Sequence, residues 1–218
     1  MLVIRQTLCV ISLGLVLVGI QAPAIADSFD AETFFTELKI HGANVKLPAP
    51  SWQETANTET ESETREHDGG TYFIREYVPK GTSFAEWKRL FAVFVQQSPQ
   101  LTLDQFTAQS VGIWRPVCGE TNYQNRVFNA TENGIQMLIF CLDSPKGPAK
   151  YGYGPGIGEI TAMALYQVGT TFVKIYQHWR GAKFEMDNIK SWPVGDAELA
   201  SVVKRFAGIE VVPSGRSN

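Results

Sequence analysis

Only two residues, Gly169-Thr170, separate two runs of strand-like sequence, Ile160–Val168 and Thr171–Arg180. A link that short can only turn the chain back on itself, because a parallel crossover needs a dozen or more residues. Just upstream, Ile135–Leu142 is apolar on both alternating sets, which predicts a strand covered on both faces. Asn129–Gly134 is turn chemistry and joins that strand to the polar run Asn122–Asn129. Four strands in succession, paired by these two turns, predict an antiparallel sheet.

Other segments supply further strands and the helices. Tyr72–Val78 reads as a strand closed by Pro79-Lys80-Gly81. From Thr58 to Arg65, Thr and Ser alternate with Glu and Arg. Period two predicts a strand, and the lack of an apolar face predicts a solvated ribbon or edge, ending at Asp68-Gly69-Gly70. Glu59, Glu61 and Glu63 on one face stand about 7 Å apart, too wide to share one cation. Four helices are expected. The first runs over 27–40 with Phe34, Phe35 and Leu38 as its apolar face. The second follows the capping box Ser83-x-x-Glu86, with Phe84, Trp87, Phe91, Phe94 and Val95 at helical spacing. The third spans 103–113 behind Thr102 and Gln105. The last is capped by Asp196, carries Leu199, Val202, Val203 and Phe206, and ends before Gly208. The predicted fold class is α+β, an antiparallel sheet with helices packed on it. One domain is expected over 27–210, with 211–218 frayed.

The N-terminus reads as an address. Leu8–Ile20 is an apolar stretch preceded by Arg5, and Ala24-Ile25-Ala26 matches a small-residue cleavage site. The stretch is shorter than the roughly 20 residues a membrane span requires. Cleavage after Ala26 predicts a periplasmic or secreted protein without a stable membrane span. It also removes Cys9 and leaves Cys118 and Cys141 as an even pair, 23 residues apart. In an oxidising compartment such a pair predicts one structural disulfide. The spacing is unlike the C-x-x-C of a redox pair.

Charge and motifs exclude several function classes. Lys+Arg is 19 against Asp+Glu 22, so the basic surplus that nucleic-acid binding demands is missing, and no nucleic-acid partner is expected. Three histidines and three cysteines make a zinc cluster hard to assemble, and no metal or cofactor is expected. The chain has no G-x-S-x-G, H-E-x-x-H or Walker A pattern. Ser201-Val202-Val203-Lys204 matches S-x-x-K, but Ser201 falls inside a helix and the companion motifs are missing. No catalytic residue is assigned.

Two segments stand out as candidate binding surfaces. The stretch from Asp143 to Glu159 is long for a connector and carries Tyr151 and Tyr153 among glycines. On the strand 171–180, Lys174, Tyr176, His178 and Arg180 share one face with Phe172. If exposed, that face is cationic and suits an anionic ligand or acidic partner; the alternative is a set of long side chains lying over apolar neighbours.

The segment Tyr77-Val78-Pro79-Lys80-Gly81-Thr82-Ser83 running into Trp87, together with the order of elements, resembles the Mog1/PsbP-like group. The resemblance spans residues 50–208 at the level of architecture and transfers no site residues. It implies a non-catalytic binding or accessory domain, exported and attached to a larger assembly. The leading expectation is therefore an exported binding protein with a protein partner in the cell envelope. An immunity or inhibitor protein against an exported toxin is the first alternative, and a hydrolase with an unrecognised site is the second.

Overall fold

The structure, a computed structural model, describes residues 35–52, 58–67 and 70–215. The predicted signal segment and residues 27–34 lie outside them. The described residues belong to one compact unit. Its centre is a seven-stranded antiparallel sheet built from β3 (Thr58–His67), β4 (Gly70–Pro79), β5 (Arg89–Gln97), β6 (Tyr123–Thr131), β7 (Gly134–Cys141), β8 (Ile157–Val168) and β9 (Thr171–Ala182). Their spatial order is β3-β4-β5-β9-β8-β7-β6. A second sheet of three strands joins β1 (Phe35–Ile40), β2 (Ala43–Pro48) and β10 (Glu210–Pro213).

The hairpins follow the expected turn chemistry. Gly169-Thr170 closes β8 onto β9, and the register runs from Val168 opposite Thr171 down to Thr161 opposite His178 and Glu159 opposite Arg180. Among the described residues, β3 is an edge strand whose Glu59, Glu61 and Glu66 are exposed, as the solvated-ribbon reading requires.

The sheet is covered on both faces. Against one face, Ala43, Val45 and Leu47 of β2 and Leu199, Val202 and Phe206 of α3 (Asp196–Phe206) share a core with Val93, Ile175 and Trp179. On the other, Phe106 of α1 (Leu103–Gly112) and Trp114 of α2 (Trp114–Cys118) pack with Leu90, Met163, Leu165 and Phe172. The expected cap of α1 is present in full: Thr102 Oγ1 accepts from Gln105 N at 3.2 Å, and Gln105 Oε1 accepts from Thr102 N at 3.0 Å. Cys118 and Cys141 are bonded, with their Cα atoms 5.4 Å apart, and so tie the end of α2 to β7.

Four expectations are corrected. The helix read over 27–40 is a strand where it is described: Phe35–Ile40 turns through His41 (φ 46°) and Gly42 (φ 78°) into β2. Two successive positive φ values make the primed turn that matches strand twist. The helix read after Ser83 is also a strand. Its capping-box side chains do meet, with Ser83 Oγ accepting from Glu86 N at 3.2 Å, but they close one turn and then β5 begins. Leu90, Phe91, Ala92, Val93 and Val95 are buried, between β4 and β9. A run apolar on both faces fills a strand inside a sheet, whereas a helix would have to leave one side to water. Asp196 is the first helical residue of α3 and Gly195 the cap; the Asp196 carboxylate still favours the positive end of the helix dipole. Finally, residues 211–213, expected in a frayed tail, form β10 with Glu210 and pair with β2.

Candidate functional site

β9 lies inside the sheet, hydrogen-bonded to β5 on one side and β8 on the other. The expected split of its side chains is observed: Val173, Ile175 and Trp179 belong to one core and Phe172 and Tyr176 to the other. Exposure of the Lys174–Arg180 face, the condition for a cationic binding surface, is not met, and the side chains lie under cover as the alternative had it. Tyr176, His178 and Arg180 are buried and Lys174 is half-buried. Helices α1 and α2 and the loop after β7 cover that face, and alternation within one strand carries no information about what lies over it.

Between this cover and the sheet is a cavity of about 210 Å³. Ile113, Trp114 and Val117 form its roof, Pro148 and Tyr153 of the loop one wall, and Met163, Lys174, Tyr176 and His178 its floor. Four of the six residues singled out in the sequence thus converge on one space. The other two do not. Tyr151 is 56% exposed and turned outward, with Lys150 Nζ 4.6 Å from its ring centroid.

Arg180 is a structural clamp. Its guanidinium donates to the carbonyls of Tyr151 and Trp87, the latter at 2.7 Å, and its carbon lies 4.1 Å from the centroid of a Trp87 ring. It thereby holds the loop to the sheet. Gly152 fits because it has φ +76° and because any Cβ there would sit 2.9 Å from Arg180 Nη1.

Beneath the cavity lies a buried polar cluster that strand-by-strand reading missed. Glu159 is 1% exposed. It accepts from Tyr153 Oη at 2.7 Å and from Thr161 Oγ1 at 3.2 Å, and His178 Nδ1 stands 2.7 Å from its Oε1. Thr161 Oγ1 is also 2.6 Å from His178 Nδ1. Thr161 gives its one hydrogen to Glu159, so its oxygen accepts from the imidazole and Nδ1 is the donor in that pair. The imidazole ring is boxed by Trp87, Trp114 and Tyr176, with ring centroids 4.6 to 5.7 Å away. A signal for this cluster existed: the two-residue turn at Gly169-Thr170 sets Thr161 opposite His178 and Glu159 beside it. No signal within the β9 sequence could have supplied Trp114.

Burial shapes the electrostatics. Desolvation pushes the Lys174 ammonium down to about 8, with Glu76 pulling the other way. Desolvation also raises the Glu76 carboxyl, helped by Glu61 and opposed by His178 and Lys174. The phenols of Tyr153 and Tyr176 are pushed well above the ordinary range, chiefly by burial. Glu159 adds to the shift of Tyr153, and Glu76 and then Glu159 to that of Tyr176. Both therefore remain hydrogen donors at neutral pH. Among the described residues, no group of three or more His, Cys, Asp or Glu could hold a metal ion, and no helix is long and apolar enough to cross a membrane.

No protein-family model matches the chain, and no curated protein matches it. Among solved structures it is similar to the Ran-binding protein Mog1p of Saccharomyces cerevisiae. The two are 10% identical with a TM-score of 0.42, over 79% of this chain and 90% of that one. The likeness is one of architecture alone, the level at which the sequence resembles the Mog1/PsbP-like group.

Proposed function

We propose that this is an exported, non-catalytic binding protein and that the cavity beneath α1 and α2 is where it takes a small ligand. The observation that carries the reading is the convergence of Tyr153, Lys174, Tyr176 and His178 on one space roofed by Trp114. Largely apolar walls with a few placed polar groups are the usual make-up of a ligand site. The buried cluster favours binding over acyl transfer. In a nucleophilic triad the acid and the hydroxyl sit on opposite nitrogens of the imidazole. Here Glu159 and Thr161 both meet Nδ1. Export rests on the cleavage pattern at Ala24–Ala26. A protein partner in the cell envelope is the companion proposal, supported by the exposed acidic edge strand β3.

A fragment screen read by the indole N–H resonances tests the cavity. Hits should shift Trp114 and leave Trp192, in the core on the opposite face of the sheet, unmoved. A screen whose hits move Trp192 and spare Trp114, or one with no hits, sinks the reading.

A further inference from the structure

We propose that the ligand of this cavity is a small carboxylate carrying one ring or a short branched chain, with its anionic end held by Lys174. The inference rests on the cavity being the binding site and adds its chemical class.

Size comes first. A dry cavity of 150 Å³ accepts benzene, so about 210 Å³ holds one ring with a short substituent. The apolar wall made by Ile113, Val117 and Met163 suits such a body. Among the titratable groups that line it, Lys174 is the one that can only donate. Lys174 has three N–H and no acceptor, and its Nζ lies 5.0 Å from the Phe94 ring centroid and 5.3 Å from that of Tyr176. Trp114 is 5% exposed, and its Nε1–H is buried without a hydrogen-bond partner.

The buried carboxylate beneath the cavity is already engaged. Glu159 is engaged by Tyr153, Thr161 and His178, so a cationic ligand would find no free carboxylate in the walls. A neutral ligand would leave the half-buried ammonium with Glu76 as a nearby charge and no acceptor in the cavity itself.

The charged and titratable groups facing Lys174 are Glu76 from β4, Tyr176 and His178 from β9, and Tyr153 from the loop. Glu159 of β8 lies behind the last two. The roof contributes no titratable side chain to the cavity; Asp104 and Arg115 of α1 and α2 are on exposed positions, as are Lys146 and Lys150 of the loop. An unliganded Lys174 loses its proton as pH rises through about 8. A bound anion favours the charged form, so anion affinity must fall above that pH.

Phenylacetate, its neutral analogue phenylacetamide and the cation phenethylamine are the probes, titrated by calorimetry into the disulfide-intact protein. The Trp114 indole N–H resonance is followed in parallel. Phenylacetate should bind about tenfold or more tighter than the amide at pH 7. That gap should narrow by about tenfold between pH 7.5 and 9.5. Lys174→Met should close it, and Lys174→Arg should keep part of it. If the amide or the amine binds as tightly as phenylacetate while shifting Trp114, the carboxylate class is wrong and the cavity stands as a binding site. If none of the three shifts Trp114, both readings fall together. Should Lys174→Met not fold, the pH series on the unaltered protein decides alone.

Discussion

Lys174 shows how one side chain couples binding to stability. Its ordinary value of 10.5 is depressed to about 8 by burial, so the unfolded chain holds more protons than the folded one between those two values. Stability therefore rises with pH across that window, and the cost of charging the buried amine is fully present below it. Lys174→Met should stabilise the unliganded protein by about 1–3 kcal/mol at pH 7 and flatten the rise toward pH 10. Urea unfolding of both proteins at pH 7 and pH 10 checks this, since groups common to the two cancel in the difference. Arg180 is the opposite case. Arg180→Ala removes two donors from the carbonyls of Tyr151 and Trp87 and the stack on the Trp87 ring. A loss of about 2–4 kcal/mol is expected, most of it from the carbonyls left unpaired. Gly152→Ala should cost about 1–2 kcal/mol through strained backbone and contact with the same guanidinium. Thermal unfolding of the two single variants and the double variant should be non-additive, because both act on one contact.

At the scale of elements, the roof over the cavity depends on the covalent tie between α2 and β7. Replacing Cys118 and Cys141 together by serine should cost about 2–4 kcal/mol. The same change frees the roof residues Ile113, Trp114 and Val117, so it should also weaken the phenylacetate probe under conditions where the variant is still folded. Calorimetry on the folded variant separates these effects; unchanged affinity would mean that the roof is held by packing alone. The segment after Ser83 shows why local signals mislead. The Ser83 half of its capping box forms, yet the residues beyond it are bonded on both sides to other strands. A cap contributes about 1 kcal/mol. Burying Leu90, Phe91, Val93 and Val95 contributes about 1.5–3 kcal/mol for each side chain. Tertiary packing outweighs the cap several-fold.

For the whole molecule, the sheet has one exposed acidic edge and two covered faces, and the binding proposal uses only the face under α1 and α2. Where the protein acts depends on the segment before Asp27, which lies outside the described residues. The mature product should begin at Asp27; N-terminal sequencing of the exported protein that finds residues 1–26 still attached would overturn the export proposal.

The strands from 122 to 180, the hairpin turn at Gly169-Thr170, the capped helix α1 and the Cys118–Cys141 pair were all legible in the chain itself. Each depends on turn chemistry, capping or periodicity over a few adjacent residues, or on which cysteines the expected cleavage would leave. The identity of β5 as a strand, the position of β9 inside the sheet and the cavity at Lys174 were decided by tertiary structure. All three turn on what lies across a face: β4 and β9 beside β5, and the roof residue Trp114 over Lys174, Tyr176 and His178. Those neighbours come from segments as much as 60 residues and more away in sequence. A strand's own alternation states which side chains share a face, and only the packing of distant segments settles whether that face meets water, a core or a ligand.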